Sequence, residues 1–447
     1  MLQLKYQIIY DGGSAHDNKA ILGLNLQSDF DKVKHSTILY QVSKLNMGER
    51  SYNYMKDFLM DRPAELRAEQ CAAGDAKCDN ETIITVDDLR RFGLPKLNKT
   101  VRDYYESGAD QEQTLRENVE AFKRWRLLYQ VLVNVTKRQL STTLLGKSVS
   151  MPFGIAPSAM QKMAHPDGEN GTAAASGAAG TVMILSTLSS TSVEEVRKAA
   201  PNATLWLQLY VFKNRTVTLE LLRRAQAANF SAVVLTVDAP TWGQRIVDVR
   251  NAFMIPEGIT LGNFDDTVYA NFNMTNVSSG SGLTKYTNDF FDQSLTWQDV
   301  SWLKNVTTLP VVLKGIITAE DAQLAVEYNA SAILVSNHGG RQLDGAPATI
   351  EALSAIVKAV GNKTEIYLDG GVRTGTDVLK ALALGAKAVF VGRPALWGLA
   401  YNGTVGVKKM LDILTTELDR ALALMGDSCV GALRPKDLIR QERYGLL

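Results

Sequence analysis

The chain has 447 residues, 45% of them hydrophobic and 21% charged, with 34 glycines, which is enough to bury a sizeable core and excludes a peptide hormone, a disulfide knot or a disordered tail. Its 48 basic and 47 acidic side chains leave a formal charge of +1. No global field therefore draws it toward nucleic acid or an anionic membrane, and small molecules are the expected partners. No apolar run reaches the roughly 18 residues a membrane-crossing helix needs.

In chain order, residues 1–62 lack the strand and helix alternation that follows, and composition changes across "DRPAELRAEQCAAGDAKCDN", so a linker is expected at 63–80. The start "MLQLKYQIIYDGG" is too short and polar to read as a secretory signal. Three cysteines cannot build a disulfide framework; Cys71 and Cys78 are near enough to close a small loop, and Cys429 is expected as a free thiol. The stretch "LGLNLQSDFDKVKHSTILYQVSKLNMGERSYNYMKDFLMDR" resembles a piece of a non-LTR retrotransposon reverse transcriptase, around the motif that usually reads Asp-Leu-x-x-Ala-Phe-Asp-x-Val-x-His. The resemblance implies a magnesium ligand at the first Asp. That position here is Asn25, which supplies no charged oxygen, and the later Asp-Asp motif is absent. Residues 1–62 are therefore expected to be a non-functional fragment, with an ordinary N-terminal extension as the alternative.

After residue 63, 13 of 19 asparagines stand in N-x-[ST] sequons: Asn80, Asn98, Asn134, Asn170, Asn202, Asn214, Asn229, Asn273, Asn276, Asn305, Asn329, Asn362 and Asn402. About one in eight would follow from chance at this Ser and Thr content. None of the four asparagines before residue 63 is in one. The bias points to a glycosylating compartment, although so few cysteines also suit a reducing one.

From about residue 150 to 430 a short apolar run recurs, followed each time by a glycine or polar turn and a helical stretch. Eight runs are counted: "FGIAP", "VMILST", "LWLQLYV", "AVVLTVD", "PVVLKG", "AILVSNH", "EIYLDGG" and "AVFVGRP". Intervening segments such as "TLELLRRAQAA" and "TIEALSAIVKAV" space apolar residues by three and four. This predicts an α/β fold, a (β/α)8 TIM barrel with a short N-terminal helical segment and a long fourth βα loop, Thr241 to about Val300, of the kind that forms a lid. An open doubly wound sheet is the alternative, but no Gly-x-Gly-x-x-Gly turn follows the first strand.

Barrel chemistry sits where strands end. The residues there are Ser158, Ser186, Thr187, Gln208, Tyr210, Thr236, Asp238, Lys314, Ser336, Asn337, His338, Asp369, Arg373, Gly392 and Arg393. His338, in "SNHGGRQLDG", is the candidate base, with two glycines that let backbone approach a ligand. His165, ahead of a helix, reads as a packing residue, and no His or Cys spacing suits a metal. Arg341 places a planar, five-donor cation beside the base, suited to a carboxylate; Arg245 is either a second clamp or a surface ion pair. Asp238 is either the partner of an imidazolium on His338 or a helix cap. "LDGGVRTGTDV" and "VGRPALWG" offer backbone N–H groups and two arginines where barrels bind phosphate, and Lys314 offers fixed positive charge to an electron-accepting ring. A flavin enzyme fits this set, and by spacing alone so does a phosphosugar isomerase.

"SNHGGRQLDGAPATIEAL", "LDGGVRTGTDVLKALALGAKAVFVGRP", "IAPSAMQKMAHPDGE" and "VRDYYESGADQEQTLRENVEAF" closely resemble the FMN-dependent 2-hydroxy-acid oxidase family, over about Thr85 to Leu438. The resemblance implies one FMN domain over 81–438 with a tail at 439–447. It implies oxidation of an (S)-2-hydroxy acid to a 2-oxo acid, with oxygen as acceptor and hydrogen peroxide released. Transfer to another acceptor, or an idle barrel glycoprotein, are the alternatives. His338 then matches the base and Asp238 its partner; Arg341 and Arg245 match the carboxylate clamp; Tyr104 and Tyr210 match the tyrosines that bond substrate. FMN ring and ribityl contacts fall on Pro157, Ser158, Ala159, Ser186, Gln208, Thr236, Lys314 and Ser336. The phosphate falls on Asp369, Gly370, Gly371, Val372, Arg373, Gly392 and Arg393. The family also implies a tetramer or octamer and a peroxisomal location, yet the chain ends "YGLL", without the peroxisomal tripeptide, so a lumenal or secreted location is the rival. Leu188 stands where glycolate oxidases carry Trp, and Trp242 stands where Leu is usual, which puts glycolate preference in doubt.

Overall fold

The structure is a computed structural model that describes residues 82–264, 269 and 281–446, with the backbone of 7–10 and 20–23. The chain falls into two compact units, Met1–Gln70 and Cys71–Leu447. In the first, Gln7–Tyr10 pairs antiparallel with Ala20–Gly23. Beyond Gly23, the reverse-transcriptase-like stretch with Asn25, and also Cys71, Cys78 and the expected linker, lie outside the described residues.

In the second unit all eight apolar runs become strands: β1 (Phe153–Ile155), β2 (Val182–Leu185), β3 (Thr204–Leu209), β4 (Ala232–Thr236), β5 (Val311–Ile316), β6 (Ala332–Val335), β7 (Glu365–Asp369) and β8 (Ala388–Val391). They pair in parallel in chain order and close between β8 and β1, which settles the open-sheet alternative in favour of the barrel. The strands read as continuous apolar runs because both faces are buried. One set of alternating side chains, including Val182, Ile184, Val234, Val312 and Leu334, fills the cylinder around Trp206, Tyr367 and Phe390, whose rings lie 5.6 to 5.8 Å apart. The other set, including Met183, Leu185, Leu205 and Leu207, packs outward under the helices. A plugged cylinder leaves ligand space only at the ends of the strands.

The helices sit where the apolar spacing predicts them, at Val193–Ala199, Arg215–Ala227, Ala319–Glu327, Thr349–Val360 and Gly375–Ala383. Capping boxes start the first and last of these, Ser192 with Glu195 and Thr374 with Asp377. The N-terminal helical segment consists of Val86–Gly93, Lys99–Glu106 and Gln113–Lys123, the second of which carries Tyr104 and the third Asn118. The fourth loop is long, as expected. Its described part holds helices Ile246–Arg250 and Gly282–Phe290, and it is anchored through buried Phe253, Leu261, Phe264, Leu283 and Phe291. Cys429 is a free, half-buried thiol. Among the described residues, no helix is long and apolar enough to cross a membrane.

Candidate active site

At the C-terminal ends of the strands lies a cleft of about 1060 Å³, the open solvent at its mouth included. Of the residues expected there, Tyr104, Pro157, Ser158, Ala159, Ser186, Gln208, Tyr210, Thr236, Arg245, Lys314, His338, Arg341, Asp369, Gly370, Gly371, Val372, Arg373, Gly392 and Arg393 line it. Asp238 and Ser336 stand directly behind. The Asp238 Oδ1 lies 2.9 Å from the His338 Nδ1, and the Ser336 Oγ accepts from the His338 backbone N–H at 3.1 Å and from the Lys314 Nζ at 3.1 Å.

His338 sits in the left-handed region, with φ of 59°, so its imidazole is aimed by a strained turn as well as by its partners. Its Nε2 faces the cleft, 3.4 Å from the Tyr210 hydroxyl. Burial pushes the imidazole below its usual pKa. The Asp238 carboxylate pulls the other way, while Lys314 and Arg245 add to the depression. Burial would raise Asp238, but His338 and Lys314 together hold it below the usual carboxylate range. The pair at neutral pH is thus a neutral imidazole beside an ionised carboxylate, with the His338 Nδ1–H donating to Asp238 and the Nε2 lone pair facing the cleft. Asp238 is no helix cap. It approaches this closely because Gly315, at a bulge after Lys314 with φ of 113°, has no Cβ; one added there would lie 2.6 Å from that of Asp238.

Arg245 is 3% exposed, and its Nε and Nη1 have no hydrogen-bond partner. This excludes a surface ion pair. The guanidinium lies 4.5 Å from the Trp242 ring centre and 5.9 Å from that of Tyr104; burial, with Arg341 nearby, brings its pKa down to about 10, so it stays charged at neutral pH. A buried cation with two vacant donors is costly unless an anion meets it. Arg341 is engaged differently: its Nη1 donates to the carbonyls of Tyr104 at 2.7 Å and Ser107 at 3.1 Å, so it braces the N-terminal helices while its charge faces the cleft. Tyr104 stacks on Phe253 at 4.3 Å and Tyr210 on Phe291 at 4.7 Å, which fixes both hydroxyls.

On the opposite side, Gln208 links strands: its Oε1 accepts from the Thr187 N–H at 3.0 Å and its Nε2 donates to the Thr236 Oγ1 at 3.0 Å. Asp369 pairs with Lys314 at 3.7 Å and keeps its Oδ1 unpartnered. That groups Asp369 with the ring side of the cleft. A carboxylate beside the phosphate would repel it. Arg373 and Arg393 are brought down by burial to about 10 and about 9, and both stay charged. Arg393 donates to the carbonyls of Tyr105, Gly339 and Ser107, which leaves two of its five N–H groups free for a ligand. The N–H groups of Arg373 and Thr374 both bond the Asp377 carboxylate, so an anion is left the Gly370–Gly371 turn and the side-chain-uncapped start of the helix Arg393–Met425 at Gly392. A Cβ at Gly371 would collide with the Asn118 carbonyl.

Sequence reasoning missed two supports. Asn118 and Asn337 exchange side-chain hydrogen bonds at 2.9 and 2.8 Å, pinning the helix Gln113–Lys123 to the His338 turn. Gln342 bonds the carbonyls of Asp238 and Thr241 and the N–H of Gly243, holding the start of the fourth loop against the base. Nothing in local spacing marks either, since the partners are 219 and about 100 residues apart. His165 stays outside the cleft: its Nδ1 accepts from the Asp167 N–H at 3.1 Å.

Residues 95–440 match the family model described as FMN-dependent dehydrogenase. The chain belongs to this family. It is 51% identical over 344 residues to glycolate oxidase 3 of Arabidopsis thaliana, covering 77% of this chain and 92% of that one. It is 48% identical over 359 residues to human 2-hydroxyacid oxidase 1, covering 80% and 97%. Among solved structures, mandelate oxidase with (S)-4-hydroxymandelic acid superposes with a TM-score of 0.75 at 39% identity, covering 80% of this chain and 98% of the other. The cofactor of an FMN-dependent dehydrogenase is FMN, and the cleft suits it. A glycine turn and helix start face two buried arginines at one end, and unpartnered Asp369 Oδ1 and buried Lys314 face inward at the other.

Proposed function

We propose that this chain is an FMN-dependent (S)-2-hydroxy-acid oxidase that passes two electrons and two protons from its substrate to oxygen, giving a 2-oxo acid and hydrogen peroxide. The observation that carries this reading is a neutral, carboxylate-locked imidazole opening on the same cleft as a buried guanidinium with two vacant donors. Bound FMN would supply the two-electron acceptor, held by Pro157, Ser158, Ala159, Ser186, Gln208, Thr236, Lys314 and Ser336, with Asp369 on a ribityl hydroxyl. Gly370, Gly371, Val372, Arg373, Gly392 and Arg393 would take its phosphate. Arg245 grips the substrate carboxylate, and Arg341 adds its charge and remaining donors. The Tyr104 and Tyr210 hydroxyls orient the carboxylate and the 2-hydroxyl. The His338 Nε2 takes a proton from the substrate, and Asp238 stabilises the imidazolium that forms. Oxygen as acceptor is supported by the oxidase names of the relatives, which this chain matches over 92% and 97% of their lengths.

The test is spectroscopic. Purified protein is yellow, bleaches anaerobically with an (S)-2-hydroxy acid, and regains colour in air with one hydrogen peroxide per 2-oxo acid. Bleaching without peroxide would show another acceptor, and a colourless protein that takes up no FMN would end the reading.

Substrate size is set by the apolar side chains that line the cleft. Leu188 is 1% exposed and lines the cleft, while the Trp242 ring meets Tyr210 edge-on at 6.0 Å and His338 at 6.1 Å. An aliphatic side chain and an indole in the lining suit a substrate with an apolar side chain better than a two-carbon acid. In Leu188→Trp, the ratio of kcat/KM for a long-chain or aromatic acid to that for glycolate is expected to fall about 10- to 100-fold, the range for a change of this size in an apolar pocket. An unchanged ratio across a panel of chain lengths would remove Leu188 from specificity.

The acid limb of kcat/KM follows the sign of the His338 shift. Because burial depresses this imidazole, the base form persists below its ordinary pKa of 6.5, and activity fails only as pH falls through the lowered value. The Asp238 carboxylate is the group that raises it, so Asp238→Asn moves the limb still lower as well as slowing turnover. A limb that moves up in this variant would contradict the pairing. The same depression means that the unfolded chain binds the proton more readily, so stability also declines as pH drops below about 6.5.

A further inference from the structure

Ten of the thirteen sequon asparagines lie among the described residues, and nine of the ten are exposed; Asn170 alone is half-buried, with its Oδ1 enclosed and unpartnered. The five described asparagines outside sequons behave oppositely: Asn118, Asn263 and Asn337 are buried and Asn251 is half-buried, all four hydrogen-bonded, and only Asn288 is exposed. Five of the exposed sequons share one place in the fold. Asn202, Asn229, Asn329 and Asn362 stand two or three residues ahead of β3, β4, β6 and β7, and Asn305, near the end of the helix Trp297–Val306, stands six residues ahead of β5, so all five lie toward the N-terminal ends of five adjacent strands. They form an arc across the barrel floor, the face opposite the cleft.

Turn chemistry explains part of this. Asn229 and Asn329 have φ of 56° and 53°, the left-handed conformation asparagine tolerates after a helix, and Ser231, Ser331 and Thr364 use their hydroxyls on neighbouring backbone. It does not explain the arc. Asn202, Asn305 and Asn362 are not left-handed, and their side chains make no hydrogen bond among the described residues, so neither the backbone nor packing requires asparagine there. Outside the floor, Asn98 and Asn214 cap helices through Oδ1 alone, accepting from Val101 at 2.9 Å and Thr216 at 3.1 Å, which leaves Nδ2 outward.

We infer that the barrel floor carries N-linked glycans at a subset of Asn202, Asn229, Asn305, Asn329 and Asn362, and hence that this protein works in a lumenal or extracellular compartment. In each modification, a separate transferase joins the asparagine Nδ2 to the anomeric carbon of an oligosaccharide. The bond from that carbon to the diphosphate of a polyprenyl donor breaks, the lipid diphosphate leaves, and one amide proton is released. Hydrophilic chains at these positions sheathe the closed end of the barrel and leave the mouth open to substrate. Asn170, with its carboxamide oxygen enclosed at the start of the helix Gly168–Ala179, stays unmodified.

The test uses the full-length protein purified from its native cells. Treatment with a peptide-N-glycosidase in oxygen-18 water should sharpen and lower its band, and peptide mass spectrometry should find labelled aspartate at three or more of the five floor positions and unlabelled asparagine at 170. Asn→Gln at all five should lower the mass of the secreted protein by the same glycans while keeping its flavin absorbance. Unmodified asparagine at all five positions in the native protein would overturn the inference, and so would glycans confined to Asn98 and Asn214 at the other end. Neither result bears on the oxidase reading, which the flavin and peroxide measurements decide separately.

Discussion

His338→Ala should leave a yellow protein, with FMN bound as in the wild type, that turns over about a thousand- to ten-thousandfold more slowly. That is the upper part of the range by which a positioned general base accelerates proton transfer. The two readouts separate because the imidazole faces the substrate end of the cleft, while the anion cradle and the Gln208–Thr236 link lie elsewhere. The loss should fall on kcat and kcat/KM alike, since the Nε2 acts when the proton moves and not in initial binding. His338→Gln keeps a polar group of similar reach without a basic nitrogen and should be no better. Turnover within tenfold of wild type in both variants would mean that another group takes the proton. Loss of flavin in both would mean that the His338 turn is structural, held as it is through the Ser336 Oγ that also meets Lys314.

Fold and site were legible to different depths, for a physical reason. Both faces of each strand are buried, so the strands announce themselves as unbroken apolar runs, and the helices between them keep one apolar face; both signals are local and survive in the linear sequence. The barrel rule then converts "just after a strand" into "at the mouth", which is how Ser186, Gln208, Lys314 and His338 could be named before any coordinates. Contacts that depend on which loops meet were not legible. Arg245 could be read as a surface ion pair because nothing in "TWGQRIVDVR" reveals that it is buried against Trp242 and Tyr104. Asp369 could be counted with the phosphate because it adjoins the glycine turn, whereas its carboxylate turns toward Lys314. The reciprocal Asn118–Asn337 pair and the missing Cβ of Gly315 are tertiary facts with no local signature.

Arg245→Met should abolish useful catalysis without harming the fold. Wild type buries a guanidinium whose Nε and Nη1 meet no acceptor, and burial has already lowered its pKa to about 10. Desolvating an unpaired charge costs several kcal/mol, so an apolar side chain of similar length should leave the substrate-free protein as stable as wild type or more so. Binding reverses the comparison. A carboxylate that would have met two vacant N–H donors and a buried positive charge faces a thioether instead, a loss of about 3 to 4 kcal/mol, or two to three orders of magnitude in kcat/KM. A thermal melt separates the two effects: a 2-oxo acid or other small carboxylate inhibitor should raise Tm of wild type and leave Arg245→Met unmoved, because only a ligand that binds the folded state stabilises it. Arg245→Lys restores charge as a single point without the planar fork and should recover only part of the loss. The idea fails if Arg245→Met melts well below wild type and keeps its KM, for the buried cation would then be holding up the fourth loop rather than waiting for the substrate's carboxylate.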